Sequence, residues 1–152
     1  MFKQFRTDES GLTLIELTIV IAILGILAAF IAPRVITAID DARVGKAKTE
    51  IANLGVALSQ YNIDVGAYPS TEEGLQALWR APSQVTVNWD GPYTKTPITD
   101  DPWGNPYVYR YPGTHYGYDY DLMSYGKDGK LGGEKLDEDI HNWIDEETTQ
   151  NQ

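Results

Sequence analysis

The apolar positions of this chain are crowded near one end. From Leu12 to Ala32 only Thr13, Glu16, Thr18 and Gly25 interrupt a run of Leu, Ile, Val, Ala and Phe. At a helical rise of about 1.5 Å per residue, roughly 20 such residues reach across a hydrocarbon core of about 30 Å, so the run predicts a membrane-spanning helix. Pro33 removes an amide donor and crowds the carbonyl one turn earlier, which predicts a kink or loosening there. Helical spacing then resumes. Val44, Ala47, Ile51, Leu54, Leu58 and Tyr61 recur at three and four residues on one stripe, while Asp40, Asp41, Arg43, Lys46, Lys48 and Glu50 fall mainly elsewhere. This pattern predicts the soluble half of one long helix, with its stripe packed on a small head that needs the face as its core.

Shorter elements come next. Ser70 and Glu73 have the spacing of a capping box and lead into a short helix over Gly74–Trp79, stopped by Pro82. Between Pro82 and Pro102 the pattern is irregular, and Trp89, Pro92, Tyr93 and Pro97 predict a loop held by aromatic packing. Tyr107–Tyr111 and Tyr118–Met123 both alternate, and Gly113 and Gly117 bracket the turn between them. They predict an antiparallel hairpin whose aromatic side chains cover the long helix, rather than a carbohydrate platform. Asp101 is expected to brace the turn at Trp103. The fold class is α+β.

Charge narrows the function. The 152 residues carry 12 Lys and Arg against 22 Asp and Glu, a net charge of -10, with the cations scattered, so no nucleic-acid partner is expected. There is no Cys, hence no disulfide, thiolate metal site or cysteine nucleophile. The chain shows no other nucleophile motif, no nucleotide loop and no His cluster, and Asp119 with Asp121 has no evident cleft, so it does not read as an enzyme. Ahead of the apolar run, Lys3 and Arg6 stand beside Asp8 and Glu9. The basic pair favours a cytoplasmic N-terminus, and the small-residue cleavage region at the end of an ordinary secretory signal is missing.

Two features carry candidate chemistry. Glu16 lies in the first turns of the apolar helix, where an ionised carboxylate costs at least about 2.5 kcal/mol on insertion scales and so asks for a partner. If the chain is cut after Gly11, the new amine of Leu12 lies about one turn away and can pair with Glu16 in its own chain or a neighbour. Pairing with a neighbour would set axial register. The second feature is Ser124–Gly133, continuing through Glu134 to Asp139. Carboxylates in a glycine-rich loop can surround a hard cation, with calcium favoured over magnesium, zinc or copper, yet the same composition also fits a solvated acidic loop. The spacing is not that of an EF-hand.

Gly11-Leu12-Thr13-Leu14-Ile15-Glu16 leading into an apolar helix resembles the leader junction of type IV pilins and pseudopilins, with Leu12 where Phe is usual. The resemblance implies cleavage after Gly11 by a prepilin peptidase, N-methylation of Leu12, and assembly through Glu16. Asp101-Pro102-Trp103-Gly104-Asn105-Pro106-Tyr107, Ser124–Gly129 and Asp139–Trp143 resemble the head of the major pseudopilins of type II secretion systems. That likeness implies a pilin-like fold with residues 1–11 as leader, 12–32 as transmembrane and filament-core helix, and 33–152 as periplasmic head. It also implies a calcium-binding loop, with Asp128 and Asp139 as side-chain ligands, the carbonyls of Tyr125 and Lys130 beside them, and Asp137 or Glu138 completing the shell. The implied function is that of an inner-membrane subunit polymerising into a periplasmic filament that drives folded exoproteins across the outer membrane. Its implied partners are further copies of itself, minor pseudopilins and the inner-membrane secretion platform. The alternatives are a type IV pilus subunit for adhesion or motility, which would more often carry a C-terminal cysteine pair, and a membrane-anchored binding module that never polymerises.

Overall fold

The computed structural model describes residues 13–83 and 88–144. The chain divides into two compact units, Met1–Ile39 and Asp40–Gln152. A single α-helix, α1, is assigned over Leu14–Val65 and so belongs to both. The helical assignment runs through position 33.

The N-terminus of α1 is closed by a motif that the sequence expectations did not include. The Thr13 amide and hydroxyl both donate to Glu16 Oε2 at 2.8 Å, and the Glu16 amide donates to Thr13 Oγ1 at 3.3 Å. This is a reciprocal capping box, and it satisfies amides that the first turn leaves without partners. Beyond it, the described apolar side chains of the first unit are exposed around the whole helix, from Leu14 at 84% to Phe30 at 74% and Ile39 at 49%. This stem has no core of its own.

In the second unit the predicted stripe is buried from Ala47 onward, with Val44 half-buried at its edge. Ala47, Ile51, Leu54, Leu58 and Tyr61 pack with Leu75, Leu78, Tyr109, Leu122 and Ile140 in one cluster. Helix α1 ends at Gly66, whose positive φ of 89° is the left-handed stop that a side chain would strain, with its amide bonded to the Asn62 carbonyl at 2.8 Å. The expected capping box forms at Ser70 and Glu73. The helix it introduces is only a 3-10 turn at Leu75–Leu78, because Gly74 enters with φ 59° and so breaks from helical geometry. The next loop is held by aromatic packing, as its composition suggested. Trp89 and Tyr93 meet edge to face at 5.6 Å, and the Trp89 indole N–H donates to the Ala77 carbonyl.

Three strands make one antiparallel sheet in the order β1-β2-β3: β1 Val108–Arg110, β2 Asp121–Ser124 and β3 Ile140–His141. Tyr109 faces Leu122, and Ser124 faces Ile140. The hairpin is therefore present, but its second strand starts three residues later than the alternation suggested. The displacement has a visible cause at Asp121. Its fully buried carboxylate accepts bonds from the Thr114 amide and hydroxyl and from His115, while the Gly113 amide reaches the Asp119 carbonyl at 2.7 Å. Residues 113–120 are thereby gathered into a closed loop. The third strand is not predictable from pattern, because two residues carry no periodic signal. The aromatic side chains reach α1 as expected: the Tyr107 hydroxyl donates to Glu50 at 2.7 Å, and Tyr109 is buried in the core.

Candidate functional site

The glycine-rich loop is strung between β2 and β3, so the sheet fixes both of its ends. Ser124 closes β2, and Asp139 immediately precedes Ile140 of β3. A buried polar network holds the first residues of the loop. The Ser124 hydroxyl donates to Asp101 Oδ2 at 2.5 Å and accepts from the Gly126 amide. Asp101 also accepts from the Trp103 and Asn105 amides, bracing that turn as expected. Asn105 Nδ2 donates to the Gly126 carbonyl at 2.9 Å. The motif from Asp101 to Asn105 thus sets the course of the loop without contributing to its acidic side, a role its turn-forming residues hinted at but could not specify.

Farther along, the Lys127 amide donates to the Leu136 carbonyl at 3.1 Å and draws the two arms of the loop together. Close approach explains two glycines. A Cβ at Gly126, where φ is +64°, would lie 2.9 Å from the Glu138 carbonyl oxygen, and one at Gly133 would collide with the carbonyl of Asp137. Between these arms the Asp128 carboxylate accepts the Lys130 amide at 3.0 Å, and Asp139 Oδ2 accepts the Gly132 amide at 2.9 Å.

The remaining oxygen of Asp139 is the informative atom. Oδ1 is buried and has no hydrogen-bond partner among the described residues. An orphaned carboxylate oxygen of this kind is costly unless something positive meets it. The site also offers hard oxygen donors only, the kind that calcium takes. Against this, no group of three acidic or imidazole side chains converges among the described residues. Of the expected ligands, Asp128 and Asp139 lie on the two arms of one closed loop. Asp137 sits in a 3-10 turn, Lys135–Asp137, that the sequence did not predict, with its amide bonded to the Glu134 carbonyl. Tyr125 is half-buried, and Lys130 is exposed.

At the other end of the chain, the expected cleavage and methylation positions, Gly11 and Leu12, lie outside the described residues. The carboxylate of Glu16 serves its own helix through Thr13. That use was legible from the Thr-x-x-Glu spacing, the same signature that located Ser70 and Glu73.

A third cluster covers the C-terminal side of the sheet. Trp143 lies between the rings of His115 and His141, with centroid separations of 3.7 and 4.1 Å and nearly parallel planes. Both indole faces are therefore occupied, which removes the best stacking surface that a sugar would use. Beside it, burial opposes ionisation of Asp121, yet the bonds from Thr114 and His115 outweigh burial and bring its carboxyl down to about 2. Tyr107 shifts the other way: burial, reinforced by Glu50, pushes its hydroxyl above the ordinary range.

Comparison with known proteins supplies the context for both ends. Residues 34–143 match the family described as type II secretion system (T2SS), protein G, and residues 6–32 match the prokaryotic N-terminal methylation motif. The chain is 48% identical over 142 residues to the type II secretion system core protein G of Pseudomonas aeruginosa, covering 91% of this chain and 97% of that one. It is 40% identical to the protein of the same name from Vibrio cholerae, covering 93% and 95%. Among solved structures it resembles the major pseudopilin from the type 2 secretion system of enterohaemorrhagic Escherichia coli. The TM-score is 0.57 at 33% identity, covering 71% of this chain and 92% of that one.

Proposed function

Because the chain belongs to the protein G family of type II secretion systems, we propose a working cycle in which its two ends have separate tasks. It is a major pseudopilin with a pilin-like fold, a structural subunit of the secretion pseudopilus and not an enzyme. An apolar N-terminal helix holds it in the inner membrane. The match along residues 34–143 favours this role over a pilus of adhesion or motility.

In the cycle, a prepilin peptidase cuts after Gly11 and the new amine of Leu12 is methylated. Residues 12–32 rest in the bilayer with the head, 33–152, in the periplasm. Subunits then leave the lipid for a helical stack. A head-to-tail interface of this kind does not close on itself and extends as a filament. The platform in the inner membrane would feed it, minor pseudopilins would tip it, and its growth would drive folded exoproteins through the outer membrane. The observation that carries this reading is the stem, whose apolar side chains are exposed around its whole circumference. Only lipid or other stems can cover such a surface. Glu16 would set the axial register by meeting the Leu12 amine of an adjacent copy. Glu16→Ala is expected to insert normally yet yield few filaments by electron microscopy of overproduced protein, and an undiminished yield would remove the register role.

Calcium belongs to the same proposal. Asp128, Asp139 and Asp137 would hold it with the carbonyls of Tyr125 and Lys130, and the orphaned oxygen of Asp139 supports the assignment. Bound there, the ion would supply positive charge that links both arms of the loop, in a chain without a disulfide. Calcium is expected to raise the melting temperature over chelator by ~5 °C or more. Asp128→Ala should erase most of that difference, and a parent protein that melts identically in calcium and chelator would eliminate the ion.

A further inference from the structure

The Lys127 side chain ties the loop to the helix. Asp40 is the first residue of the head unit and is only 4% exposed, although it carries a carboxylate. Its Oδ2 lies 2.9 Å from the ammonium of Lys127, 87 residues away, and its Oδ1 lies 3.6 Å from Arg43 one turn on. Lys127 is thus held at two points. Its amide closes the loop on Leu136, and its side chain grips the root of the head helix. Asp128 is its immediate neighbour, and Tyr125 and Lys130 lie two and three residues to either side.

We propose that the Asp40–Lys127 pair is a positioning latch for the cation loop, coupling occupancy of the loop to the order of α1 around Asp40. The inference rests on the calcium reading and adds residues outside the ligand set. Two physical effects act together. With the latch shut, the Lys127 ammonium is committed to Asp40 and is kept from the carboxylates of Asp128 and Asp139, where a free ammonium would compete with the ion. With the loop open, Asp40 would keep a buried charge whose ion-pair partner among the described residues is Arg43, more than half an ångström farther off. A buried carboxylate that loses its near partner is strongly destabilising, so the turn of helix bearing it loosens. Linkage then requires reciprocity: whatever calcium does for the helix root, the latched helix root does for calcium.

The test uses the full-length protein in detergent, with calcium chloride as probe and magnesium chloride as control. Lys127→Met and Asp40→Asn should each weaken calcium binding by about fivefold, the low end of ordinary coupling between sites, and the double variant should be no weaker than either single one. Hydrogen exchange supplies a readout that a merely structural ion pair would not move. In the parent, calcium should slow amide exchange over residues 36–44, whereas in Lys127→Met that stretch should already exchange faster than the parent's in calcium-free buffer and calcium should no longer slow it. If Lys127→Met binds calcium as the parent does, or calcium still protects residues 36–44 in it, the latch is refuted and the calcium site stands. If the parent itself shows no response to calcium beyond that to magnesium, both fall.

Discussion

Between Leu14 and Ile39, every side chain of α1 whose burial the structure describes is exposed, whereas between Ala47 and Tyr61 the same helix buries six apolar residues against its own head. The two stretches share one secondary structure and differ in pattern. The stem is apolar all round, and the head segment is apolar on one face. A helix apolar on every side cannot satisfy itself and must find lipid or copies, while a one-sided helix can fold onto later segments of its own chain. Stability of the head and assembly of the stem should therefore answer to different residues.

The strongest way to break that separation is to remove a large side chain from each half. Leu58 is fully buried, and Leu58→Ala should destabilise the head by about 2–5 kcal/mol, the range for a leucine deleted from a packed interior. Leu24, 59% exposed, is its counterpart, and Leu24→Ala should leave the melting of the head unchanged. Thermal unfolding of both full-length variants in detergent, tracked by near-ultraviolet circular dichroism of the tyrosine-rich core, makes the comparison. Equal losses would mean that the stem contributes to the fold of the head.

The same contrast governs how far each half is legible in the sequence. The stem and the stripe from Ala47 to Tyr61 were legible because each repeats a pattern over many turns. The sheet was legible only in part. Tyr118 and Tyr120 alternate like a strand, but the buried Asp121 folds them into a loop, and a carboxylate that organises its neighbours by hydrogen bonds leaves no periodic trace. The cation loop divides in the same way. Its glycines and acids were visible, whereas Lys127, Asn105 and Ser124 act across the fold, and no local spacing announces contacts between residues 21 to 87 positions apart.

Asp121 offers a smaller, pH-dependent test confined to the head. Its folded carboxyl sits at about 2, below the ordinary 3.8, so it favours the folded state fully above about pH 4. That contribution, about 2 kcal/mol from the shift, drains away as pH falls from 4 toward 2 and the folded carboxylate takes up its proton. Acid unfolding of the parent should steepen in that window, and Asp121→Asn should be less stable at pH 6 and flatter below pH 4. A variant with the parent's acid profile would show that other carboxylates carry the effect.

The smallest effect comes from a local motif that both halves share. At Ser70 and Glu73 the Ser70 amide donates to the Glu73 carboxylate at 2.8 Å, and the Glu73 amide donates to the Ser70 hydroxyl at 3.2 Å. Thr13 and Glu16 make the same reciprocal pair at the start of the stem. In the head, the box holds the turn that carries Leu75 and Leu78 into the core, so Ser70→Ala should lower head stability by about 1 kcal/mol, the usual value of a cap. Thr13→Val removes the equivalent hydroxyl where no core depends on it, and head melting should not move. It should instead free the Glu16 carboxylate from one of its two donors, shifting the balance between capping its own helix and meeting the amine of Leu12. Melting curves of the two variants, recorded beside filament yields, should thus show opposite patterns. A fall in head stability with Thr13→Val would mean that order at the tip of the stem is felt across the boundary at Asp40.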